Sequence, residues 1–285
     1  MPIISTETLH GIFTRNNSYY WIPEFQRNYV WETKQINLSD ENVDEDDFTK
    51  KHQVNELLRD LLLAFEDSAQ DYYYMGSIIT YQNDQENDEK GNPYYIIDGQ
   101  QRLTTFCFII AALYKKIKNI IDLENLNQEE NDSLTLRRDQ LFAYLKRNFP
   151  DYDLVGHQII ATSNNKANTY LKRYFETLDS EKRPYEDNLE EQTPDSIQNW
   201  QDVHEASEKM RMAVNQIDTW VDEHFNKQNI TEFIKFMTNQ LYFSNVPTKD
   251  FLEAYEIFEK SNYRGADLLF SDLVKHYILG DLAKN

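Results

Sequence analysis

The chain has 285 residues, of which 40% are hydrophobic, and this is enough for one large domain or two smaller ones. Its formal net charge of -20 argues against indiscriminate binding to nucleic acid. Four acidic stretches, 40–47, 84–89, 122–132 and 179–195, carry as much net negative charge as the whole chain, so the remainder is neutral. A local patch that binds DNA is therefore still compatible with the composition.

The chain has 1 cysteine, Cys107, which excludes an intrachain disulfide and a cysteine-based zinc site and fits a reducing compartment. The N-terminal residues have neither the basic segment nor the long apolar segment of a secretory leader. The longest apolar runs, such as 106–114, are too short to span a bilayer. We therefore expect a cytoplasmic protein that makes no membrane contact.

Strand-like segments lie mainly in the first half of the chain. Each is rich in β-branched and aromatic residues, and Pro23 ends the first of them. A polar loop that contains Gly91 and Pro93 separates the second from the third, which predicts an antiparallel hairpin. The predicted strands are 19–22, 72–81, 94–97 and, much later, 241–246, which would end at Pro247.

Helical spacing of apolar residues accounts for most of the remaining chain. A polar N-cap within 5–8 would begin the first, short helix, and the longest early helix follows Arg102 directly. Together with the strands, these helices predict an α+β protein with a small sheet near the N-terminus and a large helical remainder. The first predicted helix ends at 13, and the last one follows Gly265. The predicted helices between them span 48–67, 103–117, 134–149, 166–178, 197–225, 230–240 and 251–259.

The stretch 98–105 holds most of the chemically useful groups of the chain. A strand that leads through Gly99 into a helix presents free backbone N–H groups and the positive helix end to an anion. Arg102 adds a planar cation suited to phosphate oxygens, and Asp98 could hold a metal ion, a ribose hydroxyl or a water molecule. A well-capped helix with Arg102 paired to Asp98 explains the same pattern equally well.

Amides and hydroxyls complete this stretch. Gln100 and Gln101 could orient a water molecule or hydrogen-bond a base, and Thr104 and Thr105 place hydroxyls in the first helical turn. The inventory suits a nucleotide phosphate. The chain contains no Gly-x-x-x-x-Gly-Lys-Ser/Thr pattern, which excludes a P-loop enzyme, and no Gly-x-Gly-x-x-Gly pattern, which argues against a Rossmann site.

Three motifs resemble the signature of the DUF262 family, the N-terminal domains of GmrSD-type, modification-dependent restriction systems. The segment 97–105 matches the central Asp-Gly-Gln-Gln-Arg motif. The segment 22–31 looks like the first motif, Ile-Pro-x-aromatic-Gln-Arg-x-Tyr-x-Trp. The segment 258–273, with Asn262 and Arg264, is similar to the last motif. The three occur in the family's order and cover nearly the whole chain.

The resemblance implies a ParB/sulfiredoxin-like mixed sheet in a core domain at 1–125. It also implies a mainly helical subdomain at 126–285 that returns the last motif to the site. The implied activity is the binding and hydrolysis of a nucleoside triphosphate with Mg²⁺, for which Asp98 is the candidate ligand. The implied catalytic residues are Asp98, Gln100, Gln101 and Arg102. The implied nucleotide-binding residues are Gln26, Arg27, Asp98, Gly99, Arg102, Thr104, Thr105, Asn262 and Arg264.

The resemblance further implies defence against foreign DNA that carries modified bases or a modified backbone. Tyr29 and Trp31 could stack on a flipped or modified base, while packing of both rings in the core is the more common alternative. Pro23 would shape the turn that presents Arg27. A basic set on the later helices could contact the DNA backbone, and a solvated helix face explains it equally well. This set is Arg137, Arg138, Lys146, Arg147, Lys172 and Arg173.

Fused members of the family continue into an HNH nuclease domain. The 6 histidines are scattered and no cysteine pair could hold a supporting zinc ion, so we expect the nuclease to be another domain or chain. The first functional hypothesis is an NTPase module that gates this nuclease. The second is a non-catalytic, ParB-like reader of modified DNA that uses nucleotide only as a ligand. A scaffold with a degenerate pocket is a third, and assembly into an oligomer is left open.

Overall fold

The computed structural model describes most of both halves of the chain. The predicted helix 166–178 lies largely outside the described residues, and the predicted helix after Gly265 lies wholly outside them. The described residues are 4–15, 18–23, 26–33, 52–67, 72–82, 92–149, 154–157, 159–161, 171, 174–175, 178 and 200–262.

A mixed, six-stranded sheet in the order β1-β8-β3-β4-β2-β7 organises this part of the molecule. A separate two-stranded ribbon pairs β5 with β6. The strands are β1 (Ser5–Thr8), β2 (Ser18–Ile22), β3 (Tyr73–Tyr81), β4 (Asn92–Asp98), β5 (Lys146–Phe149), β6 (Leu154–His157), β7 (Ile159–Ala161) and β8 (Leu241–Thr248).

The sheet combines antiparallel and parallel pairs. The predicted hairpin is confirmed, since β3 and β4 pair antiparallel with Thr80 opposite Ile96. Strand β4 is parallel to β2, and β2 is parallel to β7. Strand β8 lies parallel to β3 on one side and antiparallel to β1 on the other. An α+β fold with a mixed sheet is thus confirmed, and Pro247 lies inside β8 instead of ending it.

The helices follow the predicted periodicity closely. The helices predicted near 48–67, from 103, at 197–225, at 230–240 and at 251–259 are confirmed, with small differences at their ends. The described helices are α1 (Leu9–Phe13), α2 (Gln53–Glu66), α3 (Gln100–Leu123), α4 (Gln128–Leu145), α5 (Trp200–His224), α6 (Ile230–Asn239) and α7 (Phe251–Asn262).

The short helix predicted through Phe13 is confirmed as α1, which follows its N-cap Thr8, whose hydroxyl accepts a hydrogen bond from the Gly11 N–H at 3.1 Å. The polar residues Ser5–Thr8 also form strand β1, which was not predicted. The helix predicted to reach 149 was wrong at its end. Helix α4 ends at Leu145, because Lys146 takes an extended conformation and begins β5 instead of continuing to 149. Strands β6 and β7 also lie in the region that was predicted to be mostly helical.

Side chains compensate for the polarity of β1. Glu7 accepts hydrogen bonds from Arg15 at 2.5 Å and from Asn245 of β8 at 3.0 Å. Burial would raise the pKa of Glu7, but these bonds and the charge of Arg15 outweigh burial, and the pKa lies below its ordinary value. The strand is therefore held at the sheet edge by polar contacts, which carry no hydrophobic signal in the sequence.

The hydrophobic core lies on both faces of the sheet. On one face α3 is buried along most of its length, with Leu103 and Phe106 both at 0% exposure, and it packs against α4 and α5. On the other face Ile79, Ile97 and Val246 pack against Ala254 of α7. This double packing fixes the first turn of α3 at the end of β4.

The two halves of the sequence share one sheet, because β8 lies between β1 and β3. The division into domains near residue 125 stays a prediction. No helix within the described ranges combines the length and the apolar character needed to cross a membrane.

Candidate functional site

The junction between β4 and α3 needs a glycine. Asp98 is the last residue of β4, and its Oδ1 accepts a hydrogen bond from the Gly99 N–H at 2.8 Å. Gly99 is the N-cap of α3 and has a φ of +92°. A Cβ at this position would lie 3.2 Å from the Ser77 carbonyl oxygen and 3.2 Å from Ile78 Cγ1. Only glycine fits both the conformation and the space, so the N-terminal end of α3 packs closely against β3.

Arg102 lies over a second glycine that the sequence analysis did not single out. Its Nη1 donates a hydrogen bond to the Ser77 carbonyl oxygen at 3.1 Å. A Cβ on Gly76 would lie 3.0 Å from that Nη1 and 3.1 Å from Cζ, and Gly76 has a φ of +92°. Within the described chain Arg102 makes no ion pair with Asp98, so the simple capped-helix alternative lacks its expected pair.

The junction is electrostatically suited to an anion. Burial raises the pKa of Asp98, against the opposite effects of the Gly99 N–H and the charges of Arg102 and Arg27. Burial lowers the pKa of Arg102, although a guanidinium keeps its charge in proteins. Two guanidinium groups thus act on one carboxylate, at the positive end of a long helix. The exposed side chain of Arg27 comes from a segment more than 70 positions away in the sequence.

The first motif is held against the central motif by hydrogen bonds from amide side chains. Gln26 Nε2 donates to the Ile97 carbonyl oxygen at 2.9 Å and to that of Ile96 at 3.2 Å. Gln100 Nε2 donates to the Arg27 carbonyl oxygen at 3.1 Å. Gln26 thus satisfies two carbonyl groups of β4, and Gln100 satisfies one carbonyl group of the loop 26–30. The structure therefore brings the predicted residues of the two motifs together.

The two central glutamines differ in their surroundings. Gln101 is bonded at both ends, since Oε1 accepts from the Val30 N–H at 2.9 Å and Nε2 donates to the Asn28 carbonyl oxygen at 3.0 Å. Gln100 is 6% exposed, and its Oε1 has no hydrogen-bond partner among the described residues. A carbonyl oxygen can only accept, so the bond to Arg27 fixes the amide orientation and leaves Gln100 Oε1 as an acceptor.

The hydroxyls of the first helical turn face the protein interior. Thr104 is 1% exposed and Thr105 is 0% exposed. Thr105 Oγ1 donates to the Gln101 carbonyl oxygen at 2.8 Å and lies 2.8 Å from the Tyr29 hydroxyl. Tyr29 is 1% exposed, with its ring edge-on to Phe108, so its surroundings match the packing alternative and leave no ring face for a base.

The other predicted recognition residues are placed only in part. Pro23 is buried, and Trp31 is partly buried against the main core. Asn262 is the last residue of α7, where only its backbone is described, and Arg264 lies outside the described residues. The position of the last motif relative to the junction therefore stays a prediction.

Two members of the basic set make local side-chain contacts on α4 itself. Arg137 donates to Gln140 at 2.6 Å, and Arg138 pairs with Asp139 at 2.8 Å. These contacts match a solvated helix face. Lys172 and Arg173 lie outside the described residues, and the side chain of Arg147 is not described.

A metal ion at Asp98 would need further ligands in addition to this one carboxylate. Among the residues that the structure covers, no group of three or more His, Cys, Asp or Glu side chains could hold a metal ion. Asp98 offers one carboxylate, of which one oxygen accepts the Gly99 bond. Mg²⁺ is commonly bound through one or two carboxylates together with phosphates and water. The site thus suits Mg²⁺ that binds together with a nucleotide. The described residues alone do not provide a full set of ligands for the ion.

The fold and the junction define a class of α+β protein in which a glycine joins a strand of a mixed sheet to a buried helix. The sequence matches the family described as GmrSD restriction endonuclease, N-terminal domain, over residues 9–279. The chain belongs to this family and is a module of a restriction system. No individual curated protein matches the chain.

Proposed function

We propose that the chain binds and hydrolyses a nucleoside triphosphate as the sensor and regulatory module of a modification-dependent restriction system. The nuclease would be supplied by another domain or chain. One observation carries the proposal: the buried helix α3 begins directly after Asp98 and Gly99, with Arg102 held on the Ser77 carbonyl oxygen and the loop of the exposed Arg27 bonded to Gln100. This arrangement brings two guanidinium groups and one carboxylate to the positive end of a long helix, which suits a polyphosphate.

The roles follow from which groups are already engaged. Arg102 is fixed by Ser77 and would hold phosphate oxygens, and the exposed Arg27 would close on them. Gln100 has an acceptor oxygen to spare and would orient the attacking water, whereas both ends of Gln101 hold the loop 26–30. Orienting a water molecule and neutralising charge are what hydrolysis of a phosphoanhydride requires.

Mg²⁺ would bind beside Asp98 together with the phosphates. When bound, it would neutralise charge that develops on the phosphate oxygens. The free carboxylate oxygen of Asp98 is the group that this chain offers to it.

Modified foreign DNA is the proposed signal. The first motif, which includes Pro23 and Trp31, is bonded to the nucleotide junction through Gln26 and Gln100. A change in this motif on DNA binding would therefore reach the junction directly. Adding duplexes with and without modified bases to the hydrolysis assay tests this part, because only the modified duplex should change the rate.

Phosphate release tests hydrolysis itself. ATP, GTP, CTP and UTP with Mg²⁺ are compared for the wild type, Arg102→Ala and the control Arg59→Ala, whose side chain is half-exposed on α2. The expected result is multiple turnover that is lost in Arg102→Ala and kept in the control. Equal background rates in all three proteins would refute the proposal, and nucleotide binding without turnover would favour the non-catalytic reader.

A further inference from the structure

Strand β3 carries a bulge beside the candidate site. Tyr74 pairs with Tyr242 of β8, and Ser77 pairs with Ser244, so three steps along β3 match two steps along β8. The extra residue lies in the segment that contains Gly76, which has a φ of +92°. This bulge is where Arg102 donates to the Ser77 carbonyl oxygen and lies over Gly76.

Tyr74 spans this bulge. Its hydroxyl donates to Ser244 Oγ at 3.1 Å, so the ring points along the strands from position 74 toward the Ser77–Ser244 pair. Ser244 lies opposite Ser77, whose carbonyl oxygen accepts the hydrogen bond from Arg102. Tyr74 is nevertheless 56% exposed. The ring is therefore held at its tip, beside the strand pair to which Arg102 is bonded, and more than half of the residue is open to solvent.

An aromatic ring of this kind next to a phosphate site suits a nucleobase. A base stacks on an aromatic face, and one such stack contributes about 1–3 kcal/mol in single-stranded nucleic-acid complexes, whatever the base. Tyr29, which the sequence suggested for base contact, is buried and bonded to Thr105. Tyr74 is therefore the better placed aromatic residue for a base whose phosphates lie at Arg102.

We infer that the exposed ring of Tyr74, held by Ser244, is the stacking surface for the base of the bound nucleoside triphosphate. This inference rests on the proposed nucleotide site at the β4–α3 junction. Stacking is tolerant of base identity, so the ring contributes affinity to all four nucleotides and does not select among them. A ring fixed by a hydrogen bond also loses little freedom when the base binds.

Calorimetric titration of the full chain tests the inference, with the four nucleoside triphosphates and inorganic tripolyphosphate as the base-free probe. Tyr74→Ala should weaken binding of every nucleotide by about 5- to 150-fold, the range that the loss of one stack gives. It should leave tripolyphosphate binding unchanged, and Tyr74→Phe should retain most of the affinity for nucleotides. Tyr72→Ala is the matched control, because Tyr72 is 66% exposed and its ring contacts Tyr242.

The other outcomes separate the two proposals. If Tyr74→Ala binds nucleotides as the wild type does, the stacking role is refuted while the nucleotide site stands. Equal weakening of tripolyphosphate would also refute it, because Tyr74 would then act through Arg102. Loss of affinity for a single-stranded oligonucleotide alone would assign the ring to DNA and overturn the inference. If the wild type binds neither nucleotide nor tripolyphosphate, the nucleotide site itself is refuted.

Discussion

Substitution of Gly76 by alanine tests how the guanidinium of Arg102 is positioned. The new Cβ would lie 3.0 Å from Nη1 and 3.1 Å from both Cζ and Nη2, so the guanidinium has to move. A left-handed conformation costs an alanine about 1–2 kcal/mol. The guanidinium would shift by a few tenths of an ångström, which weakens its hydrogen bond to the Ser77 carbonyl oxygen. Such a charged bond contributes about 1.5–3 kcal/mol when intact, and part of this is lost. Gly76→Ala should therefore lower the free energy of unfolding by roughly 2–4 kcal/mol.

Urea unfolding followed by circular dichroism measures this loss. Gly11→Ala is the control. Gly11 lies in α1, and the atom nearest to a new Cβ there would be 3.7 Å away, which is an ordinary contact. That substitution should change stability by less than about 1 kcal/mol, in the stabilising direction. In an Arg102→Ala background, Gly76→Ala should cost only the backbone part, about 1–2 kcal/mol. An unfolding free energy of Gly76→Ala equal to that of the wild type would refute this account of the site.

Three further outcomes are expected. Gln101→Ala should lower the free energy of unfolding by about 1–3 kcal/mol, because two backbone groups of the loop 26–30 lose their partner, and urea titration checks it. Burial would raise the pKa of Glu7, but the bonds it accepts, above all from Arg15, lower that pKa below its ordinary value. The stability advantage of the wild type over Glu7→Gln should thus be present at neutral pH and disappear as the pH falls through the lowered pKa, and an advantage that persists in strong acid would contradict it. Cys107 is 1% exposed and burial raises its pKa, so a colorimetric thiol reagent should react with it only in denaturant.

Hydrophobic periodicity was sufficient where the apolar residues of an element recur at a regular spacing. Helix α3 and the β3–β4 hairpin were predicted because their apolar residues repeat at the helical or strand period. Strand β1 has four polar residues and was missed, since it is held by Glu7 and by backbone pairing to β8. Pairing partners that lie more than 200 residues apart leave no trace in a local pattern.

The motif of the candidate site could be predicted from the sequence, but the arrangement of its side chains could be predicted only in part. The conformation of Gly99 follows from its place between a strand and a helix. The role of Gly76 does not, because its neighbour Arg102 is brought to it by the antiparallel pairing of β3 with β4. Gln100 and Gln101 are adjacent and chemically identical, so the sequence does not distinguish them. Their contacts do, because Gln100 Oε1 has no partner among the described residues, whereas Gln101 Oε1 accepts from the loop 26–30.

The position of β8 has a consequence for synthesis on the ribosome. The strand is one of the last described elements to be translated, yet it occupies an interior position between β1 and β3. Until residues 241–248 emerge from the exit tunnel, both of these strands present unpaired edges to other chains. Pausing of translation before residue 241 should therefore increase the aggregation of the nascent chain.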